Sequence, residues 1–171
     1  MSHKIYPIKL ARAGQTLFGQ MPLNKLERAS QIIMDSSKEQ KLLEYHLDFG
    51  IDEQGCYYIV GTTAIVATLV CQRCLEPFSQ TIKLDFNLSP VHTQAQAKAL
   101  PVHYEPIFLE ADSSALCLQS LLDEEVLLSL PLVALHDPTN SNCKLDIDSK
   151  IMVDNAKTTS PFALLKNLKI N

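Results

Sequence analysis

Polar and apolar residues alternate strictly through LLEYHLDFGID, with Leu43, Tyr45, Leu47, Phe49 and Ile51 on one side and Glu44, His46, Asp48 and Asp52 on the other. A repeat of two is that of a half-buried β-strand. DEQG at 52–55 supplies turn chemistry. The stretch that follows, CYYIVGTTAIVATLV, is rich in β-branched and aromatic residues and predicts a longer second strand in which Gly61 marks a bulge. Alternation resumes in FSQTIKLDFNL, where Phe78, Ile82, Leu84, Phe86 and Leu88 oppose Ser79, Thr81, Lys83, Asp85 and Asn87. Three successive strands with short connections predict an antiparallel meander.

The helical repeat appears at both ends of this meander. In MPLNKLERASQIIM, Pro22 suits a first helical position and Leu23, Leu26, Ala29 and Ile33 share one face, which predicts a short N-terminal helix on the core. Residues 92–106 are polar with two prolines and read as a loop with at most one helical turn. The clearest helix spans 113–130: Ser113 and Ser114 stand as N-caps, Leu118, Leu121, Leu122 and Val126 form the apolar stripe, and Pro131 ends it. At 100° per residue Glu125 falls on that stripe, whereas Asp123 and Glu124 face away. A carboxylate so placed must be paired, with Arg73 or Arg12 as candidates, protonated, or at the rim of the core. Residues 137–160 lack an apolar period and have the composition of a flexible polar loop. In SPFALLKNLK, Ser160 and Pro161 start a short amphipathic helix with Phe162 and Leu165 one turn apart. The expected organisation is therefore one α+β domain over 1–136, an antiparallel sheet with a long packing helix and a short N-terminal helix. A loop over 137–160 and a C-terminal helix over 161–171 complete it.

Composition changes this picture in one respect. At 171 residues, 46% hydrophobic and 20% charged, the chain is an ordinary folding domain, and it has no apolar run long enough for a signal segment or a membrane span. A cytoplasmic protein is expected. Charge is uneven: residues 1–28 carry Lys4, Lys9, Arg12, Lys25 and Arg28 against Glu27 alone, a net of +4, and residues 155–171 carry Lys157, Lys166 and Lys169 without an acid, a net of +3. With −4 for the whole chain, −11 remains for residues 29–154, which would repel a phosphate backbone. Nucleic-acid contact would have to use the ends, Lys4, Lys9 and Arg12 at one and Phe162, Leu165, Lys166 and Lys169 at the other, and Arg73 is a further candidate for partner contact.

Candidate chemistry centres on CQRC, where Cys71 and Cys74 lie between two strands. Two cysteines in C-x₂-C reach one zinc ion when they sit on a tight turn, and LHDPTNSNC offers His136 and Cys143 to complete a Cys₃His set. The alternatives are a hairpin end without metal, or thiol chemistry; the latter needs a helix N-terminus beside the cysteine, and here a strand follows. No GxSxG, HExxH, P-loop or GxGxxG occurs, and the five histidines are scattered.

The ordered set CQRC, ALPVHYEPI, LLDEEVLLSLPLVALHD, Cys143 and PFALLKNLK resembles the bacterial YceD family of large ribosomal RNA subunit accumulation proteins over essentially the whole chain. The resemblance implies a cytoplasmic, non-catalytic factor for accumulation of large-subunit ribosomal RNA, commonly encoded beside a large-subunit ribosomal protein. Its partner would be the large-subunit precursor, met through ribosomal proteins or through RNA at the basic ends, with no membrane involved. Cys71, Arg73 and Cys74 match the family's C-x-R-C, Glu125 its helical acid, and His136 and Cys143 a histidine and cysteine after the proline; Cys56 and Cys117 match nothing. Two other functions stay open: a zinc- or thiol-dependent nuclease or reductase using the CxxC, and an adaptor or chaperone for a ribosomal protein.

Overall fold

The computed structural model describes residues 4–33, 41–109, 114–137 and 143. The fold is α+β, and its centre is a five-stranded sheet in the order β2 (Thr16–Pro22), β3 (Leu42–Ile51), β4 (Tyr57–Val70), β5 (Pro77–Val91) and β6 (Glu105–Phe108). The predicted meander is β3, β4 and β5, antiparallel throughout, with β2 added antiparallel to β3. One edge differs from the expectation, since β6 pairs parallel to β5 and makes the sheet mixed. The crossover between them contains α3 (Gln94–Ala99), which opens on a capping box: the Thr93 hydroxyl accepts from Gln96 N–H and the Gln96 side chain accepts from Thr93 N–H.

Alternation along the strands puts Leu43, Leu47, Phe49, Ile59, Ile65, Leu69, Ile82 and Phe86 on one buried face. That face is covered by α1 (Pro7–Arg12), α2 (Ala29–Ile32) and α4 (Leu118–Ser129), with Leu118, Leu121, Leu122 and Val126 of α4 all buried as the apolar stripe predicts. A two-stranded sheet of β1 (Lys4–Ile5) and β7 (Leu116–Cys117) ties the N-terminus to the start of α4. This pairing explains why the helix begins later than expected. Residues 116–117 are held extended, so Cys117 occupies the N-cap position in place of Ser113 or Ser114, and Ser114 has a left-handed φ of 45°.

The N-terminal region departs further from the helical reading. Residues 7–12, which the apolar pattern assigns to no element, form α1 with Pro7 at its start. The helix predicted from Pro22 is instead a 3₁₀ turn at Leu23–Lys25, an extended Leu26, and the single turn α2. Its apolar positions are nonetheless the buried ones, with Leu23, Leu26, Ala29 and Ile33 all at or below 1% exposure.

Gly61 is not a bulge. It keeps register with Leu47 on one side and Phe86 on the other, and the Phe86 ring lies over it where a Cβ would project. A bare backbone here lets the aromatic ring close the core. Gly61→Ala is expected to push that ring aside and to cost about 1–3 kcal/mol as an overpacked core, read as a fall in Tm; an unchanged Tm would show that the ring moves freely.

Candidate metal centre

The turn between β4 and β5 is knit by its own backbone. Cys71 N–H donates to the Glu76 carbonyl at 2.9 Å, Leu75 N–H to the Cys71 carbonyl at 2.9 Å, and Arg73 N–H to Cys71 Sγ at 3.4 Å. Closing so tight a turn requires a left-handed residue, and Leu75 supplies it with φ 63°. After α4 the chain becomes extended at Leu130, before Pro131, and runs back along this turn, where Gln72 N–H donates to the Ala134 carbonyl at 2.8 Å. That strap delivers His136. Its ring packs on Phe78 with centroids 4.8 Å apart, and its Nδ1 stands 3.4 Å from Cys74 Sγ.

Cys143 completes the group. Its Sγ lies 3.6 Å from that of Cys71 and 3.7 Å from that of Cys74, and the four ligand atoms of Cys71, Cys74, His136 and Cys143 all fall within 4.8 Å of one another. Zinc bonded tetrahedrally to sulfur at about 2.3 Å and nitrogen at about 2.0–2.1 Å separates its ligands by roughly 3.5–3.8 Å. The three close separations match the edges of such a tetrahedron. Cys71 and Cys143 are buried, Cys74 and His136 half-buried, so a bound ion would be shielded by its own ligands. The group can hold a metal ion, and the donor set of three thiols and one imidazole suits zinc.

Charge in the cluster points the same way. Burial pushes the Cys71 thiol up, but N–H groups of Cys74, His136 and Arg73 and the His136 side chain outweigh it and bring the thiol down to about 5. Burial, then the hydrogen bonds and charges of Cys71 and Cys74, push Cys143 up to about 11. One thiolate is therefore favoured, and further ones repel it. A divalent cation relieves that conflict by offsetting two of the three thiolate charges and drawing the sulfurs onto one centre.

Elsewhere the expected residues separate. Lys9 and Arg12 lie on α1 and Lys4 on β1, far in sequence from the Arg73 turn, while Phe162, Leu165, Lys166 and Lys169 lie outside the described residues. Cys56 and Cys117 stay out of the cluster: Cys56 sits in the β3–β4 turn, and Cys117 precedes α4. Glu125 is buried on its stripe at 7% exposure, yet among the described residues no arginine pairs with it. Arg12 donates from Nε to Tyr57 Oη at 3.2 Å instead. Burial, then the charges of Glu105 and Glu124, raise the Glu125 carboxyl to about 7. A carboxyl raised on folding holds its proton more tightly in the native state, so it lowers stability as pH rises from its ordinary value through 7. Glu125→Gln should accordingly raise stability at pH 8 by on the order of 1–2 kcal/mol after solvent screening, and change little at pH 4.5. Thermal melts across that range test it, and an equal gain at both ends would show that the carboxyl is not the cause.

Asp123, expected to face away from the core, is buried instead. It is 6% exposed, and its carboxylate accepts from Arg28 N–H at 3.0 Å and Ala29 N–H at 2.8 Å, capping α2 from across the core. Helical periodicity gives no hint of such a role, because it depends on a second segment packing against the polar edge of α4. The only available signal is at the other segment, where Arg28 at the start of α2 has no side-chain oxygen to cap it.

The class defined by this fold and site is a small α+β protein whose sheet and long helix are pinned at one end by a Cys₃His cluster. Residues 59–169 match the family model described as "Large ribosomal RNA subunit accumulation protein YceD". The chain is also 32% identical over 167 residues to the protein of that name from Haemophilus influenzae, covering 95% of this chain and 92% of that one. This chain belongs to the YceD family. No solved structure matches it significantly. Among the described residues no helix is long and apolar enough to cross a membrane.

Proposed function

We propose that this chain is a cytoplasmic, non-catalytic factor that supports accumulation of large-subunit ribosomal RNA by binding within the assembling particle. Zinc held by Cys71, Cys74, His136 and Cys143 serves it as a structural ion. The link to ribosomal RNA rests on family membership. The observation that favours binding over catalysis is the number of ligands gathered on one point. Four protein donors fill a tetrahedral zinc ion, whereas a catalytic zinc keeps a position for water or substrate. A zinc nuclease would need that position, and a thiol reductase would need Cys71 or Cys74 free. Depleting the protein from growing cells should lower the ratio of large- to small-subunit ribosomal RNA, with restoration by the wild-type gene. An unchanged ratio would contradict the reading.

A second reading, an adaptor for a ribosomal protein, draws on the surface beside the cluster. Leu75, Val133 and Leu132 are 74%, 56% and 98% exposed around the same turn. Apolar side chains grouped at one end of a domain suit a protein partner better than a phosphate backbone.

A further inference from the structure

The short helix α1 turns Pro7 and Ala11 into the core and leaves Lys9 and Arg12 exposed. Their spacing of three puts them side by side on one face. Each cation is set against an aromatic ring. Lys9 Nζ lies 4.8 Å from the Tyr6 ring centroid, and the Arg12 guanidinium carbon lies 5.9 Å from that of Tyr57, whose hydroxyl oxygen also accepts from Arg12 Nε at 3.2 Å. Tyr6 remains 43% exposed. The result is a continuous strip of ring, cation, cation, ring. Among the described residues the one ion pair is His46 with Asp48, so neither Lys9 nor Arg12 is neutralised by a described carboxylate.

Beyond Arg12 the strip opens into a cleft of about 830 Å³ shared with Thr16, Tyr58 and Tyr104. Asp48 on that cleft is already engaged, accepting from the Thr16 hydroxyl at 2.6 Å and pairing with His46. Three of its four residues, Tyr6, Lys9 and Arg12, lie within the 28 residues that carry +4 on a chain whose residues 29–154 carry −11. Cations left unpaired on tyrosine faces keep their charge for phosphate, and an exposed ring beside them is a stacking surface for an unpaired base. A basic protein partner would be repelled here.

Resting on the proposed role in ribosomal RNA accumulation, we infer that the strip of Tyr6, Lys9, Arg12 and Tyr57 binds single-stranded segments of that RNA. Lys9 and Arg12 take phosphates and Tyr6 stacks on a base. The test is anisotropy titration of the full-length protein with a labelled, unstructured 12-nucleotide RNA at several salt concentrations. The Lys9→Gln/Arg12→Gln double variant should bind about ten-fold more weakly, with a salt slope smaller by roughly 1.4 for two lost phosphate contacts. Tyr6→Ala should weaken binding about ten-fold with the slope unchanged, because stacking releases no counterions. Where the double variant melts early, Lys9→Gln alone, which removes only a surface ring contact, carries the comparison with half the change in slope. Wild-type affinity and slope in these variants would overturn the inference. In cells, a photo-crosslinking amino acid at position 6 should capture ribosomal RNA; capture of a protein alone would also overturn it. The two claims fail separately. If depletion lowers large-subunit RNA and the double variant restores it fully, the strip is wrong and the role stands; if depletion leaves that RNA unchanged, the role itself is wrong.

Discussion

Exchanging Cys71 for Ser is expected to lower the melting temperature by roughly 8–16 °C, the largest effect of any single substitution considered for this chain. An ion that binds only the folded state adds stability in proportion to the logarithm of its concentration over its dissociation constant, about 4 kcal/mol at a thousand-fold excess. A domain of this size converts each kcal/mol into about 2–4 °C. Ser is close to Cys in shape but offers no thiolate, and it leaves Cys74, His136 and Cys143 converging on a point with one ligand missing. The Cys71→Ser protein should then gain nothing from added zinc and lose nothing to a chelator, whereas the wild type should melt lower once chelated. Cys56→Ser, at a turn outside the cluster, should behave as wild type. Equal melting of chelated and untreated wild type would remove the metal from this account.

Asp123→Ala is the second large effect, expected at about 2–3 kcal/mol, or roughly 4–12 °C in Tm. The substitution strips the acceptor from two backbone N–H groups, those of Arg28 and Ala29, and Ala29 is wholly buried. Buried donors without partners cost the full desolvation penalty, which is why the effect exceeds that of a surface cap. Asp123→Asn retains one side-chain carbonyl and should lose about half as much. A melt of Asp123→Ala indistinguishable from wild type would mean that water replaces the carboxylate at no cost.

These two sites show what a sequence discloses and what it hides. The strands β3, β4 and β5 were legible because one face of each is buried and the other is not, so polarity itself alternates. In β6 the same signal is missing, since a four-residue edge strand containing Pro106 has no room for a period, and its parallel pairing depends on where the crossover returns. The segment from Leu23 to Ile33 was half legible: its apolar positions name the buried residues correctly, but burial at every third or fourth residue does not require the backbone between them to be one helix. Ligand types for a metal were readable as CQRC with a later His and Cys. Their convergence was not, because it is made by the strap after α4, through a backbone contact between Gln72 and Ala134 that leaves no mark in residue type. Asp123 was misjudged, and the arginine proposed for Glu125 is not found, for a related reason. A helical wheel ranks positions around one helix, and both carboxyl groups take their environment from other elements, α2 in one case and β6 in the other.

The central claim is that the Cys₃His cluster is a closed zinc centre supporting a binding protein. X-ray absorption at the zinc edge, on full-length protein purified without chelators, tests it most directly. The expected result is one zinc per chain with three sulfur neighbours at about 2.3 Å and one nitrogen at about 2.0–2.1 Å. Protein that carries no zinc yet melts as high as the zinc-loaded form, or a shell in which a water oxygen replaces one of the four side chains, would contradict it.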